Sequence, residues 1–86
     1  MTYALVLQEY GKNGVFNHFV DNDLLSDYNI DDYDLANFYG LTVESCGYPK
    51  SDDPKKLQEL AQREFIGMGY FDSYFLISTQ HVGRYN

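Results

Sequence analysis

The sequence contains no tryptophan and only one cysteine, Cys46. A single cysteine excludes an intramolecular disulfide and a zinc site built from several thiolates. A long apolar run is also absent, since no segment approaches the roughly 20 apolar residues that a membrane-spanning helix needs. The first residues, MTYALVLQEYGKNG, lack the basic start and the small-residue cleavage site of a signal peptide. We therefore expect a cytoplasmic protein with no membrane partner.

Basic residues are missing from a long central part of the chain. Between Lys12 and Lys50 there are seven acidic residues and no lysine or arginine, whereas the rest of the chain has six residues of each sign. The formal net charge of −7 therefore comes from this one segment. Binding to nucleic acid or to an anionic membrane depends on cations that neutralise phosphates. The composition thus predicts no direct nucleic-acid contact and favours a basic protein as the partner.

The chain is short, with 86 residues, but it has enough material for a core. Hydrophobic residues make up 44% of it, and nine tyrosines and six phenylalanines supply large apolar surfaces, which argues against intrinsic disorder. A chain of this length holds one small core and leaves no room for a second. We expect a single domain over residues 1–86.

Four segments rich in β-branched and aromatic residues predict strands. The predicted strands cover residues 2–10, 15–20, 41–46 and 70–79. Between the first two, Asn13 and Gly14 form a pair typical of the tight primed turn of a β-hairpin. The tail that follows the last strand, residues 80–86, is expected to fray.

The acidic segment itself predicts helical structure. Residues 21–28 suit one short helical turn, and a second helix is predicted over 29–40, with Asn29 as its N-cap and Gly40 as its stop. Asp31 and Asp32 would then complement the dipole of the first turn. The predicted inner side of this helix consists of Ile30, Tyr33 or Asp34, Leu35 and Phe38.

The last helix has the strongest local signals. Asp53 stands before Pro54, which is the favoured order of an N-cap and a first helical residue. Gly67 and Gly69 are expected to end the helix. Its predicted apolar stripe consists of Leu57, Leu60, Ala61, Phe65 and Met68.

These elements follow one another in the order β-β-α-β-α-β. Two helices among four strands, with a hairpin at the start, are typical of the α+β class. We expect a small single domain with an antiparallel or mixed sheet and with the helices packed on one face of that sheet.

The clustered aspartates first need to be tested as a calcium site. Placing Asp21 and Asp23 at the first ligand positions of an EF-hand puts Leu25 where a ligand is needed and Ser26 where a glycine must turn the chain. The pattern is therefore not an EF-hand. A looser, weak calcium or magnesium site is the alternative, but solvated surface acids explain the pattern more simply, and we expect no metal and no cofactor.

Candidates for catalysis are few. Nucleophilic catalysis needs a Cys or Ser beside a base, and the spacing of Cys46, His18 and His81 indicates no such pair. The same histidines show no spacing that would build a metal site with the acids. We expect a protein that is not an enzyme, and an enzyme that uses His18 or His81 with nearby carboxylates remains a third possibility.

The acidic segment has the residue types of a protein-binding surface. If residues 27–39 are helical, Asp27, Asp31 and Asp34 fall at i, i+4 and i+7 and form one charged ridge. Tyrosine is common in protein interfaces, and acids steer a basic partner towards its site. The alternative is that the tyrosines, including Tyr39 and Tyr48, pack on the core and that the aspartates form only a solvated rim. The candidate partner-binding residues are Asp21, Asp23, Asp27, Tyr28, Asp31, Asp32, Tyr33 and Asp34.

In size, charge and use of Tyr and Asp over residues 21–48, the chain resembles a functional class of inhibitors that present carboxylates in place of nucleic-acid phosphates. Phage and plasmid anti-restriction and anti-CRISPR proteins and the immunity proteins of nuclease toxins include such cases. The resemblance implies a non-enzymatic inhibitor that occupies the basic site of a nuclease or another nucleic-acid-handling protein.

A structural role is the main alternative. The two-sided apolar pattern of YALVL and the aromatics on both sides of YFDSYFLIST suggest a sheet whose second face is also apolar and can pack against another copy of the chain. Such a chain would be an assembly subunit that forms a homo-oligomer through its aromatic-rich sheet.

Overall fold

A three-stranded antiparallel sheet forms the centre of the fold. The computed structural model describes residues 1–82 and contains β1 (Tyr3–Gly11), β2 (Gly14–Phe19) and β3 (Ser73–Ser78). The strands lie in the order β2-β1-β3, and both neighbours pair with β1 in antiparallel register. The predicted hairpin and last strand are confirmed, and with three helices the fold belongs to the α+β class. The predicted fraying of residues 80–86 lies largely outside the described residues.

The turn of the hairpin differs by one residue from the prediction. Gly11 pairs with Gly14, so Lys12 and Asn13 occupy the two turn positions. Neither of these has a positive φ, whereas Gly14 adopts a φ of 150°. A primed turn of type I′ needs positive φ at both central residues. The predicted primed turn at Asn13-Gly14 is therefore wrong, and the glycine serves as the first residue of β2 instead.

Three helices lie between the second and third strands. α1 spans Asn22–Asp27, α2 spans Asp32–Asp34 and α3 spans Pro54–Ala61. α2 continues as a π-helical turn at Leu35–Tyr39, and α3 continues as a π-helical turn at Gln62–Ile66. The predicted start of the last helix is confirmed, because the side chain of Asp53 accepts a hydrogen bond from the Lys55 amide at 3.1 Å.

The predicted helix over 29–40 begins later than expected. Asn29 has a φ of 61°, which no helix accepts, and Asp31 is the N-cap. After α2 the chain widens into the π-helical turn, in which Leu35 and Tyr39 are buried while Phe38 is 63% exposed. A π-helical turn has more residues than an α-helical turn. Tyr39, four positions after Leu35, therefore lies closer to the side of the helix that carries Leu35 than Phe38, three positions after it, does. The predicted inner position of Phe38 is wrong for this reason.

The predicted strand at 41–46 does not form. Thr42 makes one isolated bridge to Lys50, and residues Glu44–Cys46 form a short 3-10 turn. Glu44 has a φ of 51° and Gly47 one of 81°, so the backbone turns where a strand would have to stay extended. The order β-β-α-β-α-β is therefore wrong at its fourth element, and no parallel or mixed pairing arises among residues 1–82.

The hydrophobic core lies on one side of the sheet, beneath the helices. Leu5 and Leu7 alternate with Ala4 and Val6 along β1, so the two pairs point to opposite faces. Leu5 and Leu7 belong to the core that the helices complete, and α3 packs against both β1 and β3. Met68 is exposed and takes no part in the predicted stripe. The other stripe residues are fully buried: Leu57, Leu60, Ala61 and Phe65.

A buried tyrosine joins the π-helical turn after α2 to the π-helical turn after α3. The hydroxyl of Tyr39 donates a hydrogen bond to the carboxylate of Glu64, which lies in the π-helical turn after α3. Burial, and secondly the hydrogen bond to Glu64, raises the pKa of Tyr39 well above the ordinary tyrosine value. The neutral phenol is thus the form that the folded protein favours.

Tyr39→Phe is expected to lower the free energy of unfolding by about 1–2 kcal/mol near neutral pH, because it removes a hydrogen bond to a charged acceptor. Above pH of about 10 the unfolded chain loses this proton while the folded chain keeps it, so stability falls as pH rises. The difference between wild type and Tyr39→Phe should therefore shrink in chemical denaturation between about pH 10 and 12. A constant difference over that range would contradict the assignment.

Candidate functional site

Helix α1 stands beside β2 and carries acids towards a groove between them. Asp23 and Asp27 lie four residues apart on α1 and share one side of it with Leu24 and Tyr28. Asp21 caps the helix, because its side chain accepts a hydrogen bond from the Leu24 amide at 2.9 Å. The lining of the groove consists of Glu9, His18, Phe19, Asp21, Asp23, Leu24, Asp27, Tyr28, Tyr70 and Phe71.

Two further acids of the segment lie on the opposite side of α1. Asp31 and Asp32 line a second depression together with Asn22, Ser26 and Asn29. The ridge predicted from Asp27, Asp31 and Asp34 is therefore wrong: the chain breaks its helix at Asn29 and separates Asp27 from the other two. The acidic segment presents two acidic surfaces, one on each side of α1.

Besides Asp21, two further candidate aspartates have a clear structural use. Asp31 accepts a hydrogen bond from the amide of Asp34 at 2.9 Å, and the Asp34 carboxylate accepts one from the amide of Asp31 at 3.3 Å. This reciprocal pair is a capping box that satisfies amides at the start of α2. An asparagine at position 31 would keep the cap and remove the charge, since Asn and Asp are equally good N-caps.

The tyrosines of the candidate surface divide between the core and the solvent. Tyr28 packs its ring on Phe65, with ring centroids 5.3 Å apart, and on Tyr70 at 5.1 Å. Tyr33 is 67% exposed. Tyr39 is buried, and Tyr48 packs edge-to-face on Phe19. Only Tyr33 is thus a largely exposed member of the predicted set, while Tyr28 forms a wall of the groove and anchors it to the core.

Five groove residues come from outside residues 21–40 and were not predicted as part of the site, among them Phe19 at the end of β2. Glu9 lies on β1, His18 on β2, and Tyr70 and Phe71 precede β3. The Glu9 carboxylate and the His18 ring lie 3.3 Å apart, and the His18 ring meets that of Phe71 edge-on at 5.3 Å. The hairpin pattern contains the signal for the first two, because Glu9 and His18 alternate in phase with Leu5 and Leu7 and so share their face.

The acids of this region keep their charge unneutralised. Among residues 1–82, the ion pairs are His18 with Glu9 and Arg63 with Glu59, and no lysine or arginine pairs with an aspartate of 21–34. Lys55, Lys56 and Arg63 lie on α3 and the turn that follows it. The described part of the chain contains no cluster of three or more His, Cys, Asp and Glu side chains suited to a metal.

The three candidate nucleophile and base residues lie in different surroundings. His18 bonds to Glu9, whereas the thiol of Cys46 lies 2.8 Å from the carbonyl oxygen of Val43 in the 3-10 turn. His81 is exposed in a 3-10 turn at Thr79–His81. The geometry shows no contact that would join a nucleophile to a base among them.

Comparison with protein-family models, with curated proteins and with solved structures gave no match. Over the described residues, no helix combines the length and the apolar character that a membrane span requires.

Proposed function

We propose that this protein is a non-enzymatic inhibitor that binds the basic surface of a nucleic-acid-handling protein. The observation that carries the proposal is the set of six aspartates within residues 21–34, none of which has a lysine or arginine partner among residues 1–82. Asp23, Asp27 and Asp32 are exposed and have no capping role. Their negative potential is therefore directed at solvent on both sides of α1.

The mechanism is steric and electrostatic occlusion. A basic site that binds phosphates is attracted to unneutralised carboxylates at long range, and water exclusion on contact strengthens the attraction. Tyr33 adds a large exposed side chain next to the acids, of a type common in interfaces. The bound inhibitor would cover the site that nucleic acid needs. This class of action fits phage or plasmid anti-defence proteins and nuclease immunity proteins, and its place would be the cytoplasm.

A second candidate function is assembly through the sheet face that points away from the helices. Tyr10 and Val15 are cross-strand neighbours on that face and are 58% and 53% exposed. Exposed apolar side chains on one face of a sheet can interdigitate with those of a second sheet. Sedimentation distinguishes the candidates, because a dimer whose mass is unaffected by salt supports assembly.

The inhibitor is tested by capture from a lysate of the source cells at low and at high salt. Wild-type bait should retain a basic protein at low salt and release it at high salt, and the variant D23N/D27N/D32N should retain much less of it. Adding the inhibitor should then displace labelled nucleic acid from the purified partner. A partner retained equally by the variant, or one whose nucleic-acid binding is unaffected, would contradict the proposal.

A further inference from the structure

β2 is an edge strand whose outer hydrogen-bonding groups are open. It pairs with β1 on one side only, and the amide of Val20 donates to the carbonyl of Leu5 across this pair at 3.0 Å. Backbone groups alternate in direction along an antiparallel strand. Because the amide of Val20 points to β1, the amides and carbonyls of Val15 and Asn17, which lie at alternate positions, point away from the sheet. No hydrogen bond to these outward groups occurs among residues 1–82.

The edge also lacks the features that usually protect a strand from pairing. Edge strands are commonly blocked by charged side chains, proline or a bulge. The residues of β2, GVFNHF, include no lysine, arginine, acid or proline, and the register from Val6–Phe19 to Gly11–Gly14 has no bulge. Val15, Phe16 and Asn17 are all exposed. Among residues 1–82 no strand pairs with this edge, which leaves its outer backbone groups available to a further strand.

We infer that the open edge of β2 accepts an extended segment of the basic partner, which pairs antiparallel and carries basic residues at every second position. The inference rests on the proposed function, because it specifies the backbone conformation in which the basic partner binds beside the acidic groove. Strand addition of this kind gives affinity through backbone hydrogen bonds and specificity through alternate side chains.

The alternation of basic residues follows from the two faces of the edge. Side chains of an added strand that lie opposite Phe16 and His18 share their face, which is the face of the groove with Glu9, Asp23 and Asp27. Those opposite Val15 and Asn17 lie on the other face and meet the exposed valine. Lysine or arginine suits the first set, because the groove combines carboxylates with the aromatic rings that such side chains favour. Apolar residues suit the second set.

Charge also favours a basic segment over a second copy of this chain as the occupant. Two copies would each bring a net charge of −7 to the contact, and the acids beside β2 would face one another. Like charges of this density repel, and the repulsion is strongest at low salt. A basic strand instead neutralises the groove as it pairs.

The test uses an eight-residue peptide of alternating lysine and valine with blocked ends, together with two backbone N-methylated forms of it. In antiparallel pairing, the residues that hydrogen-bond β2 lie opposite Val15 and Asn17, so they are the valines. N-methylation of the valines should weaken binding at least about tenfold, since several hydrogen bonds are lost. N-methylation of the lysines should leave binding nearly unchanged, because their amides point away from β2. Both methylated forms keep the same charge, so a difference between them cannot come from charge. Equal affinities of the two methylated forms would overturn the inference.

Amide hydrogen exchange by NMR locates the contact. At a peptide concentration of about 100 times its Kd, the amides of Val15 and Asn17 should exchange about 100-fold more slowly, because exchange then proceeds through the small free fraction. One possible result is that binding is sensitive to salt and is weakened in D23N/D27N, while these amides stay unprotected. That result overturns strand addition and supports the proposed function. Protection with binding that salt does not affect overturns the proposed function. If both amides exchange slowly without peptide and the mass of the protein depends on its concentration, a second copy of the chain occupies the edge. That result overturns the inference that a basic segment is the occupant.

Discussion

Phe65→Ala is expected to lower the free energy of unfolding by about 3–5 kcal/mol. Phe65 is fully buried, and its ring meets those of Tyr28 and Phe71 at centroid distances of 5.3 and 5.8 Å. Removing it leaves a cavity between α3 and the groove wall, and these contacts are lost together with the burial of the ring. Chemical denaturation followed by circular dichroism measures the change.

The matched control is Phe38→Ala, which removes the same ring from a position that is 63% exposed. Its free energy of unfolding should stay within about 0.5 kcal/mol of wild type. A small domain has about 5–15 kcal/mol of stability in total, so Phe65→Ala could be largely unfolded, and Phe65→Leu would then give a smaller, measurable loss. Equal effects at positions 65 and 38 would mean that the core is not centred on Phe65.

Tyr28 packs against the core and also lines the groove, as Leu24 and Phe71 do. Its ring packs on Phe65 and Phe71, and its position at the end of α1 places it beside Asp27. The groove therefore has a rigid wall on one side, which limits the conformational entropy that is lost when a partner binds. Tyr28 can therefore support the shape of the groove without itself contacting a bound partner.

Local signals were sufficient for the hairpin and for α3. The order Asp53-Pro54 starts a helix at the expected residue, and the alternation in β1 and β2 sets which side chains share a face. Each of these signals acts between residues that are close in sequence, so no tertiary information is needed to interpret it. For the same reason, the α+β class could be predicted from the sequence.

The errors occur where the backbone adopts conformations that side-chain patterns do not report. Leu41 and Val43 are buried, as their alternation suggests, but the left-handed φ of Glu44 turns the chain before a ladder can form. Asn29 likewise ends the helical run between Asp27 and Asp31. Alternation thus predicts burial, whereas strand pairing also needs an extended backbone beside a free edge.

The candidate site was predicted only in its contiguous part. Asp21, Asp23 and Asp27 do line one groove. Glu9 and His18 belong to the hairpin, and Phe71 lies more than 40 residues further along the chain than Asp27. Composition cannot bring such distant residues together, because the pairing of β1 with β2 and β3 decides which of them meet.

D23N/D27N is expected to slow the association of octalysine about tenfold at low salt, with little change in its dissociation rate, since steering acts mainly on the encounter. The double variant D52N/D53N is the matched control: it removes the same charge ahead of α3, and asparagine keeps the N-cap at position 53. Stopped-flow fluorescence should show less than about a twofold change for this control, and the gap between the variants should close as salt rises. If both variants slow association equally, only the net charge of the chain matters, and the groove beside α1 is not the site that attracts a basic partner.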